Sequence, residues 1–313
     1  QECKRKNVLF MDVSKYVTDT NGHISDKVSI DGIHVNKENV SIIDAGLTQC
    51  LNSMPKLGFI VLTHARLPEH TESLINCVTS IRKHYPDQIA NPIVLLDDSS
   101  PIPVPNSVLD IPGLKRVLVP DRASAEAAPF KYYLHNRFCE KMVFLHDSMI
   151  LLKPLENTDN ENISFLWHFT NHRVHWSEIT EPITAYNTIH DIVTHDDLIN
   201  HLVKKYMCKN KDFSDYFNRI YYQKNLWVGC FGAMCLISHE FLVKMQDKTD
   251  LLSFLNIVDN RRYRCALESI LSIAAQYTLG RAIEGSLDGL YYDGNYHNGF
   301  ITDTFHKNVF LRI

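Results

Sequence analysis

The sequence lacks any long apolar run: nothing in its 313 residues approaches the roughly 20 consecutive apolar positions that carry a helix across a bilayer. It also lacks a C-x-x-C pair. Its cysteines (Cys3, Cys50, Cys77, Cys139, Cys208, Cys230, Cys235, Cys265) are scattered, and several sit inside apolar runs. That spacing argues against a zinc ribbon and favours reduced, buried thiols over a disulfide framework. No Lys/Arg run exceeds a few residues and the formal net charge is −4, so there is no basic field for nucleic acid. Neither G-x-G-x-x-G nor G-x-x-x-x-G-K-[ST] occurs, which argues against a dinucleotide fingerprint and a P-loop. No signal-peptide pattern, internal repeat or low-complexity tract is visible. The expectation is a soluble protein without a membrane span. The unpaired cysteines favour the cytoplasm, with the secretory-pathway lumen as the alternative if an anchor precedes Gln1. A start at Gln1 fits an excised domain. Asn39-Val-Ser and Asn162-Ile-Ser match the N-glycosylation pattern.

What is present is an alternation of buried strands and amphipathic helices. Residues 1–55 read as a small N-terminal segment and 56–313 as the main domain. Residues 58–63 form an apolar strand ending in Thr63, His64 and Arg66. A helix over 69–84 puts Leu74, Val78 and Ile81 on one face. A second strand ends in Asp97 and Asp98, and a third covers 115–119. Strand, helix and strand of these lengths predict a parallel βαβ unit. A helix over 123–139, broken at Pro129, leads to the stretch at 142–152, MVFLHDSMILL. This reads as one strand buried on both faces, interrupted by His146, Asp147 and Ser148. Burying a carboxylate costs several kcal/mol unless something pairs with it, so Asp147 needs a metal, a ligand or a basic partner. Further on, 190–206 reads as a helix, 225–237 as a strand interrupted by Gly229 and Gly232, 241–255 as one or two short helices, and Arg261–Leu279 as a helix stopped by Gly280. In a parallel sheet, ligands bind beyond the carboxyl ends of the strands at the switch in strand order. Three polar clusters fall there: Thr63/His64/Arg66, Asp97/Asp98 and His146/Asp147/Ser148. His168, His172 and His175 have a spacing that suits zinc on a helix, but equally an aromatic cleft.

These motifs, in this order, resemble a GT-A glycosyltransferase. VLLDDSS is similar to the VVDDGS stretch of family 2 enzymes, whose acids hold the nucleoside, and FLHDSMIL sits where their Asp-x-Asp motif would sit. WVGCFGAM resembles the glycine-containing acceptor-side loop. RRYRCALESIL resembles the helix carrying the catalytic acid, and FHKNVF the C-terminal segment whose His approaches the diphosphate or metal. The resemblance implies a GT-A-like, Rossmann-like α/β fold with a mixed, mostly parallel sheet flanked by helices. It implies transfer of a sugar from a UDP- or GDP-linked donor to a hydroxyl of a glycan, protein or lipid-linked acceptor, with inversion if Glu268 is the base. Donor binding then falls to Thr63, His64, Arg66, Asp97, Asp98, Lys131, His146, Asp147 and Ser148. Acceptor binding falls to Trp227, Gly229, Phe231 and Gly232. A cation, Mn²⁺ or Mg²⁺, would rest on Asp147 with His306. His146 and Ser148 replace the family's flanking acids, so the alternative is metal-free catalysis with Arg66, Arg122 or Lys131 facing the diphosphate. Asp31 and His34 match the Asp-x-x-His block of SGNH/GDSL hydrolases. An esterase fragment and a non-catalytic carbohydrate-binding domain are therefore the alternative readings.

Overall fold

A computed structural model of the chain describes residues 54–119, 124–155, 162–170, 195–207, 209–283, 286–287 and 310–312. The chain divides into two units, Gln1–Pro55 and Lys56–Ile313, and the elements below belong to the second. Strand β1 (Leu57–Thr63) is buried at every position, because both faces of the sheet are covered. Helix α1 (Pro68–His84) begins with proline, whose fixed φ suits a first turn, and buries Leu74, Cys77, Val78 and Ile81 at helical spacing. Strand β2 (Ile93–Asp97) pairs with β1 in parallel, with Thr63 opposite Asp97. A short helix, α2 (Asn106–Leu109), leads to β3 (Leu114–Leu118), parallel to β2. A 3₁₀ turn (Ala125–Ala127) opens into α3 (Ala128–His135). Pro129 stands in the first turn of α3 and starts the helix instead of breaking it.

Strand β4 (Lys141–His146) lies on the other side of β1, in parallel, with Leu62 opposite His146. The expected single strand over 142–152 is two strands. The chain turns at Asp147 and Ser148, and β5 (Met149–Leu151) leaves the main sheet to pair antiparallel with β10 (Phe310–Arg312). Strand β6 (Ile163–Phe165) is followed by β7 (His168–Phe169) and the helices α4 (His195–Tyr206) and α5 (Lys211–Tyr221). The expected strand over 225–237 is also split, into β8 (Gly229–Cys230), a 3₁₀ turn (Phe231–Ala233) and β9 (Cys235–Ser238). Gly232, at φ 61°, makes the turn. Helices α6 (His239–Thr249), α7 (Leu251–Leu255) and α8 (Arg261–Leu279) follow. Helix α8 spans the predicted residues: Asn260 caps Tyr263 N–H and Gly280 ends the helix in the left-handed region.

The main sheet runs β3-β2-β1-β4-β9-β6. Its first four strands are parallel, β9 is antiparallel to β4, and β6 is antiparallel to β9. This is the expected mixed, mostly parallel α/β sheet, consistent with a GT-A-like, Rossmann-like fold. The order switches at β1, with β2 on one side and β4 on the other. Among the described residues no helix is long and apolar enough to cross a membrane.

Candidate active site

Four parallel strands end on one edge of the sheet, and the loops leaving them are tied together. The backbone ladder continues one step past the strands: Asp98 N–H donates to Thr63 O at 2.9 Å and Asp147 N–H to Leu62 O at 3.0 Å. His64 Nδ1 lies 2.5 Å from Asp98 O, and Ala65 N–H donates to Ser100 Oγ at 2.9 Å. Asp147 finds its partner in Thr63, whose buried hydroxyl donates to Oδ2 at 2.6 Å. A short bond from a hydroxyl to a carboxylate is among the stronger kinds. The acid singled out by the sequence is thus held by a neutral donor on the adjacent strand. Close behind it, burial raises the Cys77 thiol far above its ordinary range, and the Asp147 charge raises it further.

Beyond β1 and β4, at the switch in strand order, lies a cavity of about 330 Å³. Of the predicted donor residues, His64, Arg66, Asp98, His146, Asp147 and Ser148 line it. Thr63 reaches it through Asp147. The sequence reading did not name His70, Ser73, Glu126 or Arg264 as site residues; all four line the cavity. The signal for Glu126 was its place: it follows β3, so its turn begins at the same edge of the sheet. Its Oε1 lies 4.0 Å from His146 Nε2, and its Oε2 lies 3.7 Å from Arg264 Nε.

Two predicted donor residues sit elsewhere. Asp97, almost wholly enclosed, accepts from Arg116 Nε at 3.1 Å, from Arg116 Nη2 at 2.5 Å and from Ser100 N–H at 2.9 Å. Its carboxylate anchors the β2–β3 pair and the loop after β2. Lys131 lines a separate cavity of about 280 Å³ beside Val117, Leu118 and Tyr132.

Helix α8 contributes Arg264 to the cavity and, beyond it, carries a polar stripe at four-residue spacing. Glu268 Oε1 accepts from Gly232 N–H at 2.9 Å, Ser272 Oγ donates to Val228 O, and Gln276 Nε2 donates to Leu226 O at 3.1 Å. Residues i, i+4 and i+8 share one face of a helix, so the stripe reads the backbone of 226–232 rung by rung. Gly232 passes the link on, because its carbonyl lies 3.0 Å from His146 Nε2. Burial raises the nearby Cys265 thiol, and the carboxylates of Glu268 and then Glu126 raise it further.

The predicted acceptor residues take structural places. Trp227 is 2% exposed, donates from Nε1 to Tyr221 O at 3.1 Å and stacks on the Tyr221 ring. No face of it is left for a sugar. Gly229 is glycine because the Phe169 ring fills the space: an added Cβ would stand 1.9 Å from Phe169 Cζ. Phe231 is partly buried and packs against the core.

For a divalent cation, the described residues do not provide a fitting donor set. Among them no group of three or more His, Cys, Asp or Glu side chains is placed to hold a metal ion. His146 Nε2, facing a carbonyl oxygen, carries its proton there and offers that oxygen no lone pair. His168 Nδ1 lies 2.8 Å from Ser286 Oγ. Asp31, His34, Arg122, His172, His175 and His306 lie outside the described residues.

No protein-family model and no curated protein matches the chain. Among solved structures, S. aureus TarS (residues 1–349) is 18% identical over 31% of this chain and 28% of that one, at a TM-score of 0.26. The same protein in complex with UDP-GlcNAc is 17% identical over 31% of this chain and 27% of that one, again at 0.26. The matched stretch thus spans less than a third of either chain.

Proposed function

We propose that the chain transfers a sugar from a nucleotide-diphosphate donor, UDP- or GDP-linked, to a hydroxyl of a glycan, protein or lipid-linked acceptor. One observation carries this reading: carboxylates (Asp98, Asp147) and cations (Arg66, Arg264) converge in one cavity at the strand-order switch. Asp98 and Asp147 accept hydrogen bonds from hydroxyl or N–H groups of the donor, and Thr63 fixes the Asp147 carboxylate for that purpose. Arg66, at the mouth, faces the diphosphate and offsets the charge that grows on it as it leaves. The acceptor oxygen attacks the anomeric carbon. The bond from that carbon to the diphosphate breaks, and the nucleotide diphosphate departs with the electron pair on the opposite face. Glu268 takes the acceptor proton. None of these steps is routed through a cation.

Thermal unfolding in the presence of UDP, GDP or CMP, each with and without Mn²⁺, tests the reading. A nucleotide at 100 times its Kd stabilises by about 2.7 kcal/mol, which is roughly 5–10 °C in a chain of this size. The expected result is such a shift with at least one nucleotide, lost in Asp147→Ala. No shift with any nucleotide overturns the proposal.

A further inference from the structure

Glu126 is an acid in the cavity that makes no hydrogen bond among the described residues. Buried carboxylates are nearly always hydrogen-bonded. Glu126 instead stands between two nitrogen groups at distances too long for that, 4.0 Å to His146 Nε2 and 3.7 Å to Arg264 Nε. Its Oε2 and Arg264 Nε are both enclosed and, among the described residues, without a hydrogen bond. His146 cannot come closer without giving up Gly232 O. The carboxylate is therefore held by charge, and among the described residues its capacity to accept hydrogen bonds is unspent.

We infer that Glu126 is the residue that selects the donor's sugar: its Oε1 accepts a hydrogen bond from a sugar hydroxyl, and Arg264 positions the carboxylate. The ligand group must be a hydrogen-bond donor without negative charge. A phosphate at this place would face a carboxylate, whereas a hydroxyl can donate to Glu126 and accept from the arginine behind it. The inference rests on the sugar-transfer reading and deepens it by placing the sugar on the Glu126–Arg264 side of the cavity, away from Arg66.

The test is calorimetric titration of the full chain with UDP, UDP-glucose, UDP-N-acetylglucosamine, GDP and GDP-mannose. It compares wild type with Glu126→Ala and Glu126→Gln, alongside saturation-transfer NMR with free glucose, N-acetylglucosamine and mannose. In Glu126→Ala the affinity for the bare nucleotide stays within about twofold, while that for its sugar conjugate falls about tenfold. Glu126→Gln keeps an acceptor oxygen and loses less. If Ala proves unstable, Gln must still weaken the conjugate more than the bare nucleotide. Equal losses for both, or no loss for either, overturn the inference and leave nucleotide-sugar binding standing. Binding of free sugars that depends on Glu126, without binding of any nucleotide, overturns the transferase reading and the donor assignment that rests on it. Absence of both kinds of binding in the wild type overturns both.

Discussion

Replacing Glu268 with glutamine keeps an oxygen in place for Gly232 N–H and removes the group that can take a proton. Replacing it with alanine removes both. The two variants therefore separate the rung of the α8 stripe from the base. Glutamine retains a neutral hydrogen bond, roughly half as strong as the charged one, so its stability loss stays under about 1 kcal/mol. Alanine strands a buried N–H, at about 1–3 kcal/mol, and empties a site that is 7% exposed. For a domain of this size a loss of about 2 kcal/mol lowers Tm by roughly 4–8 °C. General-base loss costs about 10²–10⁴ in rate. The assay is turnover of a nucleotide-sugar donor, read as released nucleotide diphosphate, with a melting curve on the same samples. The expected pattern is a near-native Tm with a collapse of kcat in Glu268→Gln, and loss of both in Glu268→Ala. A Glu268→Gln variant within about threefold of wild-type kcat would refute the base and leave Glu268 as a positioning residue alone. An unchanged Tm in Glu268→Ala would refute the rung.

Gly229→Ala drives a methyl group into the buried Phe169 ring and is expected to cost about 3 kcal/mol or more, partly restored by adding Phe169→Leu; melting curves of the single and double variants check this. Arg116→Met leaves the enclosed Asp97 carboxylate without its cation. Breaking a fully buried pair costs about 3–5 kcal/mol, and because Arg116 is 34% exposed the expected loss is about 2–3 kcal/mol, measured by denaturant unfolding. The pH dependence follows from the buried thiols. Burial pushes Cys139 up to about 12 and holds Cys77, Cys230 and Cys235 well above the ordinary thiol value near 9. A raised folded pKa gives stability that is complete below the unfolded value and lost as pH rises through the folded one. Stability is expected to hold to about pH 8 and to fall between about pH 9 and 12, with labelling of these four thiols at pH 8 confined to unfolded chain.

Local pattern carried the elements whose cause is local. Helix α8 was legible to its last residue because Asn260, an unbroken helical spacing and Gly280 all sit in one window. The β1–α1–β2 unit was legible from apolar runs and the helical stripe of α1. Where distant parts decide, the sequence was ambiguous. Apolar residues on both sides of His146-Asp147-Ser148 read as one strand, and only the pairing of β5 with β10, some 160 positions along, shows that the chain leaves the sheet. Gly229 correctly signalled a close approach, but the approaching group is Phe169 and not a ligand. His64 and Arg66 of the first polar cluster, Asp98 of the second and all of the third line the cavity, whereas Asp97 turned inward because Arg116 on the neighbouring strand reaches it. Glu126 lay in an alanine-rich stretch with no motif to mark it, and its role depends on Arg264, far along the chain.

The most direct test of the central claim is a crystal soaked with UDP-sugars and GDP-sugars. Density for the diphosphate is expected beyond the carboxyl ends of β1 and β4, with Arg66 beside it, Asp147 still bonded to Thr63, and the sugar against Glu126. Donor density in another part of the molecule, with this cavity holding only solvent, would contradict it.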